Sequence, residues 1–74
     1  LILLNKNKPV LSVQFEGFPY LGIWTKPNAP FLCIEPWCGL ADNVNHNGNI
    51  FEKESIQLLE KNGVFQREII ISLL

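Results

Sequence analysis

The fold is decided by residues 20–37, which read Tyr20-Leu21-Gly22-Ile23-Trp24-Thr25, then Lys26-Pro27-Asn28-Ala29-Pro30, then Phe31-Leu32-Cys33-Ile34-Glu35-Pro36-Trp37. The first and third pieces are rich in aromatic and β-branched residues, which strands favour. The middle piece carries two prolines, and proline cannot continue a strand ladder. The pattern predicts strands over 20–25 and 31–35, joined by a turn, with Pro36 ending the second strand.

The same rhythm of short apolar stretches and turn residues extends through the rest of the chain. It predicts further strands over 1–4, 10–15 and 65–74, and an irregular loop over 37–49 that contains Asn47-Gly48. Residues 50–59 are ambiguous, since a short helix is possible there. An irregular strand is preferred, because a turn signal at 61–63 is followed at once by a strong strand. The chain is therefore expected to be all-β, with no helix longer than two turns.

Composition limits the class of protein. The 74 residues make one domain at most, and 47% hydrophobic with 18% charged residues is a globular balance. A net charge of -1 provides no positive field for nucleic acid or an anionic membrane. No apolar run approaches the roughly 20 residues of a membrane span. Two cysteines, Cys33 and Cys38, without a wider disulfide set favour a reducing, cytoplasmic location.

The size and the apolar termini predict that the chain is one part of a larger protein. A domain of this length buries only about 60% of the surface of its unfolded chain. Residues 1–4 and 69–74 are apolar and have no evident partner strands. We expect residues 1–74 to form the C-terminal part of a single β-sandwich domain, with its remaining N-terminal part as partner.

Glu35 is the leading candidate for chemistry. Alternation along a strand places it on one face with Cys33 and Phe31. A carboxylate with mostly apolar neighbours suits a general base or acid working near neutral pH. Pro36 holds Glu35 in the extended region, and Trp37 supplies a flat ring that can stack on the C–H face of a sugar. The alternative is a strand-end carboxylate that caps a backbone amide or pairs with a lysine.

The candidate stretch has a resemblance to a known family. Residues 33–42, Cys33-Ile34-Glu35-Pro36-Trp37-Cys38-Gly39-Leu40-Ala41-Asp42, are followed by Asn45-His46 and Glu52-Lys53-Glu54, and preceded by Phe18-Pro19-Tyr20-Leu21-Gly22-Ile23-Trp24-Thr25. Together they resemble the C-terminal region of the aldose 1-epimerases, in particular the galactose mutarotase-related, LacX-like bacterial branch.

This resemblance implies an antiparallel β-sandwich of the galactose mutarotase-like type and an isomerase that interconverts the α and β anomers of a hexose or hexose phosphate. Glu35 matches the family's catalytic base, and the histidine acid lies upstream of this chain. The reaction uses neither cofactor nor metal. Gly22 stands where well-studied relatives carry a sugar-binding glutamine, so that contact is either missing or replaced by Tyr20 or Trp24.

Three other groups have alternatives that the sequence leaves open. Asp42 either contacts a sugar hydroxyl or forms an Asx-turn in its Asn-rich loop. His46 matches a family loop histidine with no catalytic role, and either serves as an acid or donates to backbone carbonyls. Cys33 and Cys38 make an incomplete metal site, and Cys33 is better explained as a small buried hydrophobe. At the level of function, the alternatives to an epimerase are a non-catalytic carbohydrate-binding β-sandwich and a structural segment.

Overall fold

A computed structural model describes all 74 residues and contains two antiparallel sheets with almost no helix. The elements in chain order are β1 (Ile2–Asn5), β2 (Lys8–Gln14), β3 (Tyr20–Trp24), β4 (Cys33–Trp37), a 3₁₀ turn (Ile50–Glu52) and β5 (Ile70–Leu73). One sheet has the order β1-β2-β5 and the other pairs β3 with β4. The all-β prediction is confirmed, and the architecture is consistent with a segment of a β-sandwich.

A tight two-residue turn joins β1 to β2. Lys6 and Asn7 both have positive φ, 51° and 66°, as the type I′ turns that match strand twist require. Because the turn needs only these two residues, β2 begins at Lys8, earlier than the predicted residue 10. Pro9 is accommodated inside β2 opposite Leu4, where the register of the pair shifts.

The second hairpin places Pro36 inside a strand, so the prediction that Pro36 ends the strand is wrong. Pro36 pairs with Leu21 in a two-stranded sheet, in which β4 is an edge strand. Proline is tolerated on an edge because its missing N–H does not interrupt a second ladder. The turn before β4 closes through a hydrogen bond from the Ala29 backbone N–H to the Lys26 carbonyl at 3.1 Å.

The predicted irregular strand over 50–59 is also wrong. This region contains only the 3₁₀ turn, which begins after Asn49, whose side-chain oxygen accepts from the Phe51 backbone N–H at 3.0 Å. Asn43 and Asn47 make equivalent bonds two residues ahead, each at 2.8 Å. Asparagine side chains that bond the local backbone compete with a strand ladder, which explains the irregular path.

The last strand is shorter than predicted, because β5 pairs with β2 only along Leu11–Gln14. The preceding residues run without strand pairing, and there Arg67 donates from Nε to the Gly17 carbonyl at 2.9 Å.

Little of the chain is buried. Val13, on the central strand β2, is the one buried residue and is 3% exposed. The radius of gyration is 16.4 Å, against about 11 Å for a compact domain of this length. Trp24 and Trp37 are 46% and 42% exposed, because no second layer covers the β3–β4 hairpin. The structure contains no helix with the length and apolarity to cross a membrane.

Candidate functional site

One face of the β3–β4 hairpin gathers most of the predicted site. The register pairs Tyr20 with Trp37, Gly22 with Glu35 and Trp24 with Cys33. Directly paired residues share a face, and so do residues two apart along a strand. Four of the five predicted site residues, Tyr20, Trp24, Glu35 and Trp37, therefore lie on the same side of the sheet.

Two indole rings hold the Glu35 carboxylate. Trp24 Nε1 donates to Oε1 of Glu35 at 2.7 Å, and Trp37 Nε1 donates to Oε2 at 3.1 Å. Each carboxylate oxygen thus accepts one indole N–H. Phe31 and Trp24 make an edge-to-face contact, with ring centroids 5.6 Å apart and planes at 86°, which is a favourable aromatic geometry.

The Glu35 carboxylate is held by two neutral donors and has no cationic partner. It is half-buried, and neither of the chain's two ion pairs includes it. It accepts no backbone N–H, so the capping and lysine-pairing alternatives are not what the structure shows. A carboxylate oxygen has two acceptor positions, so each oxygen retains one free acceptor position.

Gly22 lies directly opposite Glu35 and contributes no side chain to this face. A Cβ at this position would lie 3.7 Å from Nε1 of Trp37 and 3.8 Å from Cβ of Glu35. These are ordinary contact distances, so a Cβ would touch both neighbours without a clash.

The long loop after β4 is anchored against the same hairpin. The hydroxyl of Tyr20 hydrogen-bonds the hydroxyl of Ser55, which has a left-handed φ of 61°. A cavity of about 320 Å³ lies between this loop and Trp37. Its apolar lining comes from Trp37, Leu40, Ala41 and Ile56.

Asp42, the fifth predicted site residue, lies in this loop and is engaged elsewhere. Its Oδ1 is 2.8 Å from Nζ of Lys53 and 3.9 Å from Nε2 of His46. The hydrogen bond and charge of Lys53 lower the pKa of Asp42, and nearby His46 adds a smaller effect in the same direction. No hydrogen bond joins Asp42 to Glu35 or to the indoles, and the loop's Asx-turns are made by asparagines. The structure thus places Asp42 in a loop clamp rather than beside Glu35.

Two participants were missed by sequence reasoning. Ser55 bonds a residue 35 positions away, and Lys53 pairs with Asp42 across the loop. No spacing rule connects residues that far apart in an irregular segment. Cys33 and Cys38 are both free thiols of intermediate burial, so Cys33 is less buried than predicted.

Comparison with known proteins gives a partial relationship. Two proteins of Lactococcus lactis subsp. lactis, "Protein LacX, plasmid" and "Protein LacX, chromosomal", are each 44% identical to this chain over 49 residues, which is 65% of this chain. The aligned region covers 16% of the length of each relative. No family model matches the chain, and no solved structure matches it.

Proposed function

We propose that this chain carries the general base of an aldose 1-epimerase, with Glu35 as the base. The observation that carries the proposal is the state of Glu35, a half-buried carboxylate oriented by two neutral N–H donors and free of any cationic partner. The similarity to Protein LacX supports the proposal. The residues of this chain that resemble the aldose 1-epimerases resemble the LacX-like branch of that family in particular.

The proposed reaction needs one base and one acid. A free acceptor position on Glu35 takes the proton of the anomeric hydroxyl while an acid protonates the ring oxygen, so the C1–O5 bond breaks and an aldehyde forms. Rotation about C1–C2 and re-addition of the hydroxyl, with both protons returned, give the other anomer. In this proposal the acid comes from polypeptide outside these 74 residues, because the one histidine, His46, lies beside Asp42.

The exposed indoles fit a hexose as ligand. Trp24 and Trp37 are nearly half exposed and flank Glu35. An indole offers an apolar face with a polar N–H at its edge. Because both N–H groups are directed at Glu35, the ring faces remain for the C–H face of a sugar, and Tyr20 lies at the same side of the sheet.

The test is polarimetry of freshly dissolved α-glucose and α-galactose with the full-length protein. We expect the wild-type protein to accelerate mutarotation. Glu35→Gln preserves the shape and removes the proton acceptor, so kcat should fall at least about 100-fold, the lower end of general-base contributions. Glu60→Gln is the matched control, because Glu60 is exposed and its side chain makes no hydrogen bond or ion pair. Unchanged kcat in Glu35→Gln would contradict the proposal.

A non-catalytic carbohydrate-binding β-sandwich is the second candidate. The two nearly half-exposed indoles on this face favour sugar binding, which needs no acid from elsewhere. In that case the protein would bind hexoses without accelerating mutarotation, and Glu35→Gln would weaken binding itself. Measuring the sugar Kd by calorimetry beside the polarimetric rate separates the two functions.

A further inference from the structure

We propose that Trp24 and Trp37 are positioning residues that act together on the Glu35 carboxylate, and this rests on the proposed function of Glu35 as base. The two N–H donors reach different oxygens of one carboxylate, at 2.7 and 3.1 Å. One donor would leave the carboxylate free to rotate about its terminal torsion, which is intrinsically broad. Two donors on opposite oxygens fix its plane.

The choice of tryptophan matters chemically. An indole is a donor only, carries no charge and does not titrate near neutral pH. It can therefore hold a carboxylate without competing for the substrate proton, which an acidic or imidazole partner would do. A lysine or arginine in its place would add a full positive charge and weaken the carboxylate as a proton acceptor. Two indoles orient the group and leave it able to accept a proton.

The strand register builds this arrangement. Trp37 lies two residues after Glu35 on β4, and Trp24 lies diagonally across from it on β3. Diagonal neighbours in an antiparallel pair are within reach only of long or aromatic side chains. Gly22, directly opposite Glu35, adds no side chain that would separate the carboxylate from Trp24. The residues at these four positions thus work as one unit.

The test uses Trp24→Phe, Trp37→Phe and the double variant in the full-length protein. Phenylalanine keeps an aromatic face and removes the N–H, so sugar KM should change little. We expect kcat to fall about tenfold for each single variant, as small misplacements of reacting groups do, and little further in the double variant, because loss of either donor already frees the plane of the carboxylate.

Two further readouts separate positioning from simple destabilisation. In a Glu35→Gln background, Trp24→Phe should produce no additional loss of kcat, because its effect passes through the carboxylate. A tenfold loss in both backgrounds would overturn the proposal. Wild-type kcat in the double variant would also overturn it.

A spectroscopic arm does not depend on turnover. With ¹⁵N-labelled tryptophan, the two indole N–H resonances are assigned by their disappearance in the phenylalanine variants. Both resonances should shift in Glu35→Gln and stay in place in Glu60→Gln. Resonances unmoved by Glu35→Gln would refute the proposed pair of indole hydrogen bonds to Glu35. If the wild-type protein fails to accelerate mutarotation while both resonances shift, the proposed function is wrong and the two indole hydrogen bonds to Glu35 are confirmed.

Discussion

Replacing Gly22 tests where the sugar lies, independently of which group is the base. A Cβ at Gly22 would lie 3.7 Å from Nε1 of Trp37 and 3.8 Å from Glu35 Cβ. Both are ordinary van der Waals distances, so Gly22→Ala should be accommodated without movement. Glycine inside a strand is less stable than alanine by about 0.5–1 kcal/mol. Gly22→Ala should therefore raise the free energy of unfolding by about that amount and leave sugar binding nearly unchanged.

Gly22→Leu should have the opposite effect on binding. Its longer side chain must extend past the Cβ position on the face that carries Glu35 and the two indoles, the face to which the proposed function assigns the sugar. Forcing bulk into an occupied space costs about 1–3 kcal/mol, which corresponds to a roughly 5- to 150-fold weaker Kd. The loss should appear in binding, because the substitution lies on an open face and does not enter the buried position of Val13.

The assay pairs urea unfolding of each variant with calorimetric titration of glucose and galactose. Gly22→Ala is the matched control for the change of backbone freedom. A folded Gly22→Leu protein that binds and turns over sugar as the wild type does would refute the reasoning, because no ligand could then occupy the face in front of Glu35. Equal loss of binding in both variants would show that backbone freedom at Gly22 matters rather than space.

Three further outcomes follow from the backbone and from the loop clamp. Gly17→Ala should lower the free energy of unfolding by about 1–2 kcal/mol in urea denaturation, because Gly17 has φ +86° and a Cβ would meet Cδ and Nε of Arg67 at 3.0 Å. Lys6→Gly should raise it by about 0.5–1 kcal/mol, since relief of a left-handed φ of 51° exceeds the entropy cost of glycine. Because Lys53 lowers the pKa of Asp42 below 3.8, the stabilisation from their pair is present above pH 3.8 and is lost as pH falls through the lowered value. The protection of backbone amides in residues 40–56 from hydrogen exchange should fall on acidification below that pH. Asp42→Asn should lack this protection already at neutral pH and show no further loss in acid. Protection unaffected by Asp42→Asn would contradict the Asp42–Lys53 loop clamp.

The parts of the fold that follow local rules were predictable. The turn residues and strand formers gave the two hairpins, and side-chain alternation gave the face on which Glu35 lies. The site of Glu35 follows from contacts within 11 residues of chain. Closing so short a loop costs little entropy, so local pattern and final structure agree there.

The parts that failed depend on the partner of a segment rather than on its own composition. The sequence predicts that Pro36 ends a strand, yet Pro36 lies within β4 because that strand has a free edge. The composition of residues 65–74 predicts one long strand, but β5 extends only as far as it pairs with β2. In both cases the neighbouring strand decides the outcome.

The contrast between the Glu35 site and the rest of the chain has a physical consequence. Orientation of Glu35 needs only hydrogen bonds within one hairpin, whereas its solvation depends on what covers the exposed faces of Trp24 and Trp37. A charge-assisted hydrogen bond strengthens as the local dielectric constant falls. Any layer that covers the hairpin, including a bound sugar, therefore tightens the two indole bonds while it removes water from the carboxylate. Orientation is set locally by the register of β3 and β4, and the solvation of Glu35 is set by whatever covers that face.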